Sequence, residues 1–193
     1  MQITLVRHGR PARCHTGWLT RAEFALWCRA YDAAGLRDGD EPPRRLVRRA
    51  RTAATVVSSD LRRACESAER LCAAAAPPPA RPVPAWTVVR EVDLPAPAFA
   101  PAVRLPLAAW LVVGHAGWTS ARLASVESLA AARTRADAAA LALERAARTG
   151  PVVAVGHAVF HGLVAAALRR RGWRGPPWWP GRYWATTTLR RDA

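Results

Sequence analysis

Hydrophobic periodicity along the chain alternates between a two-residue and a roughly four-residue repeat. Gln2-Ile3-Thr4-Leu5-Val6 reads as a short strand that stops at Arg7-His8-Gly9, where the apolar run ends. Thr20 and Glu23 stand at capping-box spacing; Phe24, Trp27, Cys28 and Tyr31 follow at helical intervals, with Gly35 as the stop. Val56-Val57 leads into Ser58-Ser59-Asp60, a second strand delivering a helix cap, and the next helix places Leu61, Ala64, Cys65, Ala68, Leu71 and Cys72 on one stripe. Those two cysteines read as small buried apolar groups. Trp86 to Val89 is a third strand candidate between proline-rich loops, Pro77 to Pro84 and Pro95 to Pro106. A short apolar segment surrounds Trp110, and a long alanine-rich helix runs from about Ser125 to Arg148. Gly150-Pro151 breaks it, and Val152 to Val155 has the signature of a buried strand. Phe160, Leu163, Val164, Ala167 and Leu168 form another helical stripe, ended by Arg169-Arg170-Arg171-Gly172, and Tyr183 to Leu189 closes as a strand.

Strands alternating with helices predict one α/β domain over residues 1–193 with a largely parallel sheet. Sites in such sheets lie beyond the carboxyl ends of the strands, which directs attention to Arg7-His8-Gly9, Ser58-Ser59-Asp60 and Gly156-His157. No apolar run has the length of a membrane span, and the first residues lack the pattern of a secretion signal. The four cysteines, Cys14, Cys28, Cys65 and Cys72, form no CxxC pair, so reduced thiols and a cytoplasmic location are expected.

Charge widens the field before it narrows it. The chain carries 29 basic residues against 14 acidic ones, a net charge of +15, and every basic residue is arginine. Such a field draws anions of any kind: nucleic acid, anionic lipid or phosphorylated metabolites. A nucleic-acid reading would rest on Arg44, Arg45, Arg48, Arg49 and Arg51, and on the arginines from Arg169 to Arg174 near Trp173, Trp178 and Trp179. No aromatic residue lies between Tyr31 and Trp86, so the first cluster lacks a platform for stacking bases.

The candidate chemistry sits at the predicted strand ends. His8 follows the first strand, and Arg7 beside it offers a fork of donors suited to phosphate. Ser59-Asp60-Leu61-Arg62-Arg63-Ala64 opens a helix whose backbone N–H groups and one arginine would make an anion site. Gly156-His157 repeats the strand-then-histidine arrangement, and His115 after Val112-Val113-Gly114 is a rival with similar flanks. Arg90-Glu91-Val92-Asp93 offers a carboxyl group at the same sheet edge. Taken singly, each also fits a plain role: a structural strand-end histidine, a solvated arginine or a solvated loop carboxylate. Among the five histidines His157 and His161 are four apart and could share a helix face, but no nearby acid completes a site, so neither metal nor cofactor is expected.

Together, Leu5-Val6-Arg7-His8-Gly9, Ser58-Ser59-Asp60-Leu61-Arg62-Arg63-Ala64 and Val153-Ala154-Val155-Gly156-His157 resemble, in order, the motifs of the histidine phosphatase superfamily, the phosphoglycerate-mutase-like fold. The resemblance implies a three-layer α/β/α sandwich. It implies that His8 is a nucleophile that becomes phosphorylated and that Arg7, Arg63 and His157 hold the phosphoryl oxygens. Glu91 aligns with the family's proton donor, with Asp93 as the fallback. Glu127-Ser128 and Arg135 resemble further family positions, taken as peripheral. Mutases of the family continue Arg-His-Gly with Glu or Gln; here Arg10-Pro11-Ala12-Arg13 follows, which favours a phosphatase acting on a small phosphorylated substrate. Arg10 and Arg13 either add anion contacts or remain solvated. Mutase-type transfer, phosphohistidine-protein dephosphorylation, a basic nucleic-acid-binding role and an idle scaffold stand as alternatives.

Overall fold

The computed structural model describes residues 1–13, 17–75, 82–94, 96–98, 102–120, 127–177 and 182–192. Strand β1 (Gln2–Arg7) is followed by the two-residue β2 (Trp18–Leu19) and helices α1 (Arg21–Ala33) and α2 (Arg44–Arg51). Strand β3 (Thr55–Ser58) leads into α3 (Arg62–Ala75), and β4 (Leu105–Pro106) into α4 (Leu107–Thr119). Helix α5 (Leu129–Ala147), strand β5 (Val152–Gly156), helix α6 (Ala158–Arg170) and strand β6 (Thr186–Arg190) complete the order. The main sheet runs β3-β5-β1-β6; β1, β3 and β5 are parallel, and β6 returns antiparallel beside β1. Sequence cysteine Cys14, tryptophans Trp178 and Trp179, and the predicted helix start at Ser125 lie outside the described residues.

Strict alternation places the two core faces. Ile3, Leu5, Val152 and Ala154 point into one apolar cluster with residues of α5 and α6, such as Leu143, Phe160 and Val164. Val6, Val153 and Val155 point the other way, onto Leu46 of α2 and Ala68 and Leu71 of α3. Parallel strands covered on both faces need such nearly continuous apolar runs. The result is a mixed α/β fold with helices on each side of a mostly parallel sheet.

Several predicted elements shift, each for a local reason. Trp86 to Val89 is not a strand. Ala85 makes a single parallel bridge to Ser58, and Thr87–Val89 then coils as a 3-10 turn; Pro82 and Pro84 carry no N–H with which to extend a ladder. The segment around Trp110 is a full helix, α4, burying Trp110, Gly114 and Trp118 at four-residue intervals. His115 therefore sits on a helix and not at a strand end. On α3 the buried stripe is Arg63, Ala64, Ser67, Ala68, Leu71 and Ala75, while Leu61, Cys65 and Cys72 are only half-buried. The Cys65 thiol donates to the Ser59 carbonyl at 3.1 Å, so it is not a purely apolar filler. Glu127 and Ser128 precede α5, with Ser128 as its cap. Helix α1 keeps its capping box through Thr20 and Glu23, but of its predicted stripe only Phe24 is fully buried. The arginines of the first basic cluster form α2, whose Leu46 and Ala50 face the core.

Candidate active site

Three strand ends converge. The His8 backbone N–H donates to the Gly156 carbonyl at 2.8 Å, and that of Ser59 to the Val155 carbonyl at 2.8 Å. The residues immediately beyond β1, β3 and β5 thus lie side by side, and the rings of His8 and His157 stand 5.2 Å apart between centroids. Arg63 joins them from the first turn of α3.

The loop carrying His8 is clamped. A Cβ on Gly9 would approach Asp40 Oδ2 to 2.5 Å and Leu36 and Trp184 to 2.6 Å, so the third position of Arg-His-Gly admits only glycine. Asp40 Oδ2 accepts the Arg10 N–H at 2.7 Å and the Trp184 indole N–H at 2.7 Å. Trp184 holds a left-handed φ of 59°, a strained state for a bulky residue, and its own N–H reaches back to the Arg7 carbonyl at 3.2 Å. From α3, Ser67 Oγ accepts the Gly9 N–H at 2.9 Å. His8 Nδ1 lies 2.7 Å from the Gly9 carbonyl. A carbonyl only accepts, so Nδ1 carries the hydrogen and Nε2 keeps its lone pair. Burial, then the nearby Arg63 charge, lowers the His8 pKa to about 3. The ring is neutral at physiological pH.

The surrounding charge is positive. Arg63 is 1% exposed, donates to the Tyr31 carbonyl at 2.9 Å and to Asp32 Oδ1 at 3.2 Å, and stacks 4.5 Å over the Tyr31 ring. Its Nε has no hydrogen-bond partner among the described residues. Arg7 stacks 4.6 Å over Tyr183. His157 is fully buried, and its Nε2 lies 2.8 Å from Ser59 Oγ, which already accepts the Leu61 N–H at 3.3 Å. Its Nδ1 is unpartnered among the described residues. Burial first, then His8 and Arg63, holds the His157 pKa well below the usual imidazole value. Beneath it Gly156 leaves room for His161, whose Nε2 would stand 2.5 Å from a Cβ there.

Glu91 faces the same cavity from the loop after the 3-10 turn. Its Oε1 accepts the N–H of Phe160 at 2.8 Å and of Val92 at 3.1 Å, and its Oε2 that of Val159 at 3.2 Å, so it caps α6. Burial raises its pKa; the three N–H groups and Arg63 pull the other way without overcoming it. Arg135 fixes this loop from behind, donating to the carbonyls of Arg90 at 2.7 Å and Val88 at 3.2 Å while forming a two-pronged pair with Glu127 at 2.7 and 2.5 Å. Asp93 is exposed and also lines the cavity.

The cavity measures about 530 Å³, and Arg7, His8, Arg63 and Glu91 line it together. Arg13 reaches it, whereas Arg10 is exposed and is not among its lining residues. His115 lines it from α4. Sequence periodicity missed Tyr31 as a site residue because its spacing matched a buried stripe. It missed Tyr183 and Asp40 because their roles arise from contacts across the fold, and it singled out the segment holding Ser59 without the contact to His157. Among the described residues no group of three or more His, Cys, Asp or Glu is arranged to hold a metal ion, and no helix is long and apolar enough to cross a membrane.

The crevice beyond the parallel strands is thus lined by the His8 imidazole, two guanidiniums and the Glu91 carboxyl group, with the fully buried His157 ring 5.2 Å from that of His8. A family model for the histidine phosphatase superfamily (branch 1) matches residues 3–193. The chain belongs to that superfamily, and the class of enzyme it represents is a phosphatase. Solved structures share its fold. A mycobacterial glucosyl-3-phosphoglycerate phosphatase complexed with VO3 is 21% identical, with 97% of this chain and 90% of that one covered and a TM-score of 0.57. A phosphoserine phosphatase from Entamoeba histolytica bound to phosphoserine is 13% identical, covering 97% and 89%, with a TM-score of 0.54. An ecdysone phosphate phosphatase from Bombix mori in complex with tungstate is 14% identical, covering 98% and 89%, with a TM-score of 0.58. No curated protein resembles the chain closely enough in sequence to count as a match.

Proposed function

We propose that this chain is a cytoplasmic, metal-independent phosphomonoester hydrolase working through a phosphohistidine at His8. The observation that carries the reading is the His8 tautomer: Nδ1–H is spent on the Gly9 carbonyl, leaving a neutral, nucleophilic Nε2 at a cationic hole. Nε2 attacks phosphorus and the bond to the ester oxygen breaks. Arg7 and Arg63 carry the charge that spreads over the equatorial oxygens, in place before substrate arrives. His157 is fully buried and is not among the cavity-lining residues; with Ser59 O–H donating to its Nε2, Nδ1–H is the donor left to reach a phosphoryl oxygen.

The alkoxide leaving group takes a proton from Glu91, whose Oε2 accepts one N–H against two on Oε1 and so has room for it. Glu91, now ionised, then deprotonates water; the water oxygen bonds to phosphorus, the P–N bond breaks, and His8 is regenerated. Glu91→Gln should therefore lower kcat/KM for an alkyl phosphate by roughly 10²–10⁴-fold. Formation of the phosphoenzyme from p-nitrophenyl phosphate, whose leaving group needs no proton, should change by less than about tenfold. Equal slowing of both would reject Glu91 as the acid and turn attention to Asp93. Chelators should leave turnover unchanged.

Arg135 positions this acid without touching substrate. Arg135→Ala should cost about 1–3 kcal/mol of stability by removing charged donors from two loop carbonyls. It should also slow alkyl phosphates more than p-nitrophenyl phosphate, as Glu91→Gln does. A variant less stable but slowed equally on both substrates would assign Arg135 to structure alone.

A further inference from the structure

We propose that the substrate is the phosphate ester of an apolar alcohol, its hydrocarbon half seated against the wall formed by α1, α4 and the loop after Glu91. The inference rests on the phosphatase reading and extends it to the leaving group. On the phosphatase reading the phosphoryl group takes the part of the 530 Å³ cavity lined by Arg7, His8 and Arg63, which leaves the rest for the leaving group. The wall beyond is formed by Trp27 of α1, Leu94 and Ala96 of the loop, and Leu107 and Leu111 of α4.

Each of these side chains is half-buried and packs by one face on a small apolar cluster of Leu19, Phe24 and Trp110. The cluster is braced by stacked rings: Trp110 on Phe24 at 5.1 Å, Phe24 on Trp27 at 6.1 Å, and Trp27 on Tyr31 at 4.8 Å. Trp110 is further tied by its indole N–H to the Leu19 carbonyl at 2.8 Å. An aromatic stack thus runs from the outer wall to Tyr31, whose ring lies 6.5 Å from that of His8. The wall is continuous with the cavity end that His8 lines.

The polar inventory points the same way. Among the described lining residues there is no serine, threonine, asparagine or glutamine, the neutral groups that pair with the hydroxyls of a sugar or polyol. The two tyrosines there are taken up by the arginines, the Tyr31 ring lying 4.5 Å from the Arg63 guanidinium and the Tyr183 ring 4.6 Å from that of Arg7. Asp32 is engaged by Arg63, Glu91 by three backbone N–H groups, and His115 Nδ1 by the Leu111 carbonyl at 2.6 Å, while Arg13, Arg29 and Asp93 are exposed and remain hydrated. A hydroxyl-rich leaving group would have to compete here for polar partners that are already engaged or hydrated, whereas a hydrocarbon loses only its contact with water.

The test is kcat/KM for ethyl, butyl, hexyl and octyl phosphate, whose leaving groups differ little in basicity, with glucose 6-phosphate as the polar counterpart of hexyl phosphate. The expected result is a rise of about three- to fourfold per methylene until the wall is covered, with hexyl phosphate at least about tenfold better than glucose 6-phosphate. Leu111→Asp should flatten the series. A flat or falling series in the native enzyme, or a preference for glucose 6-phosphate, overturns this inference and leaves the phosphatase reading standing, because p-nitrophenyl phosphate would still be hydrolysed. No turnover of any phosphomonoester, p-nitrophenyl phosphate included, overturns both.

Discussion

His8→Ala should lose at least about 10⁴-fold in kcat/KM on every phosphomonoester, because the covalent route disappears with its nucleophile. The loss should be uniform across leaving groups, unlike that of Glu91→Gln, since the P–N bond forms whatever alcohol departs. Folding should survive. His8 contributes one side-chain hydrogen bond, to Gly9, and the loop stays clamped through Asp40, Ser67 and Trp184. Steady-state kinetics on alkyl and aryl phosphates, with the unfolding midpoint measured alongside, checks both parts. Residual activity within about a hundredfold of the native enzyme would mean that water attacks phosphorus directly.

Acid should destabilise the protein far above the range in which carboxylates titrate. His8 and His161 are each lowered to about 3, burial being the main cause, and His157 is lowered well below its usual value. Well above pH 6.5 all three rings are neutral in both states and pH has no effect through them. Below it the unfolded chain takes up three protons that the folded chain refuses, so stability falls as pH falls. Glu91 works in the opposite sense, because its raised pKa lets the folded state hold a proton that the unfolded chain has released. The balance is a loss of about 2–4 kcal/mol between pH 7 and pH 5.5, at about 1.4 kcal/mol per proton per pH unit. Urea midpoints at the two pH values measure it, and His161→Phe should remove about one proton's share. Equal midpoints would mean that the rings titrate freely and are not enclosed.

The site residues best legible in the sequence were those that end strands. His8 and His157 follow regular apolar runs, and a parallel sheet brings such ends together whatever the loops do. Arg63 could be singled out only through its motif, since a buried arginine on a helix has the same spacing as a solvated one. Periodicity failed where both faces of an element are apolar, as in α4, or where prolines stop a ladder, as before Thr87. It also failed for contacts made by chain-distant partners. The Gly9 carbonyl that sets the His8 tautomer is adjacent in sequence, yet no residue pattern announces it, and the Asp40–Trp184 clamp spans 144 residues. Arg135 and Glu127 looked peripheral because their effect on Glu91 passes through backbone carbonyls.

The most direct test of the central claim is to quench the enzyme during turnover of a phosphate-labelled aryl ester and map the label. The account predicts one alkali-stable, acid-labile phosphoryl group per chain, on the peptide containing His8, accumulating further in Glu91→Gln because the water-activating base is gone. A chain that turns over substrate with no trapped label in either form, or with the label on any other residue, would contradict it.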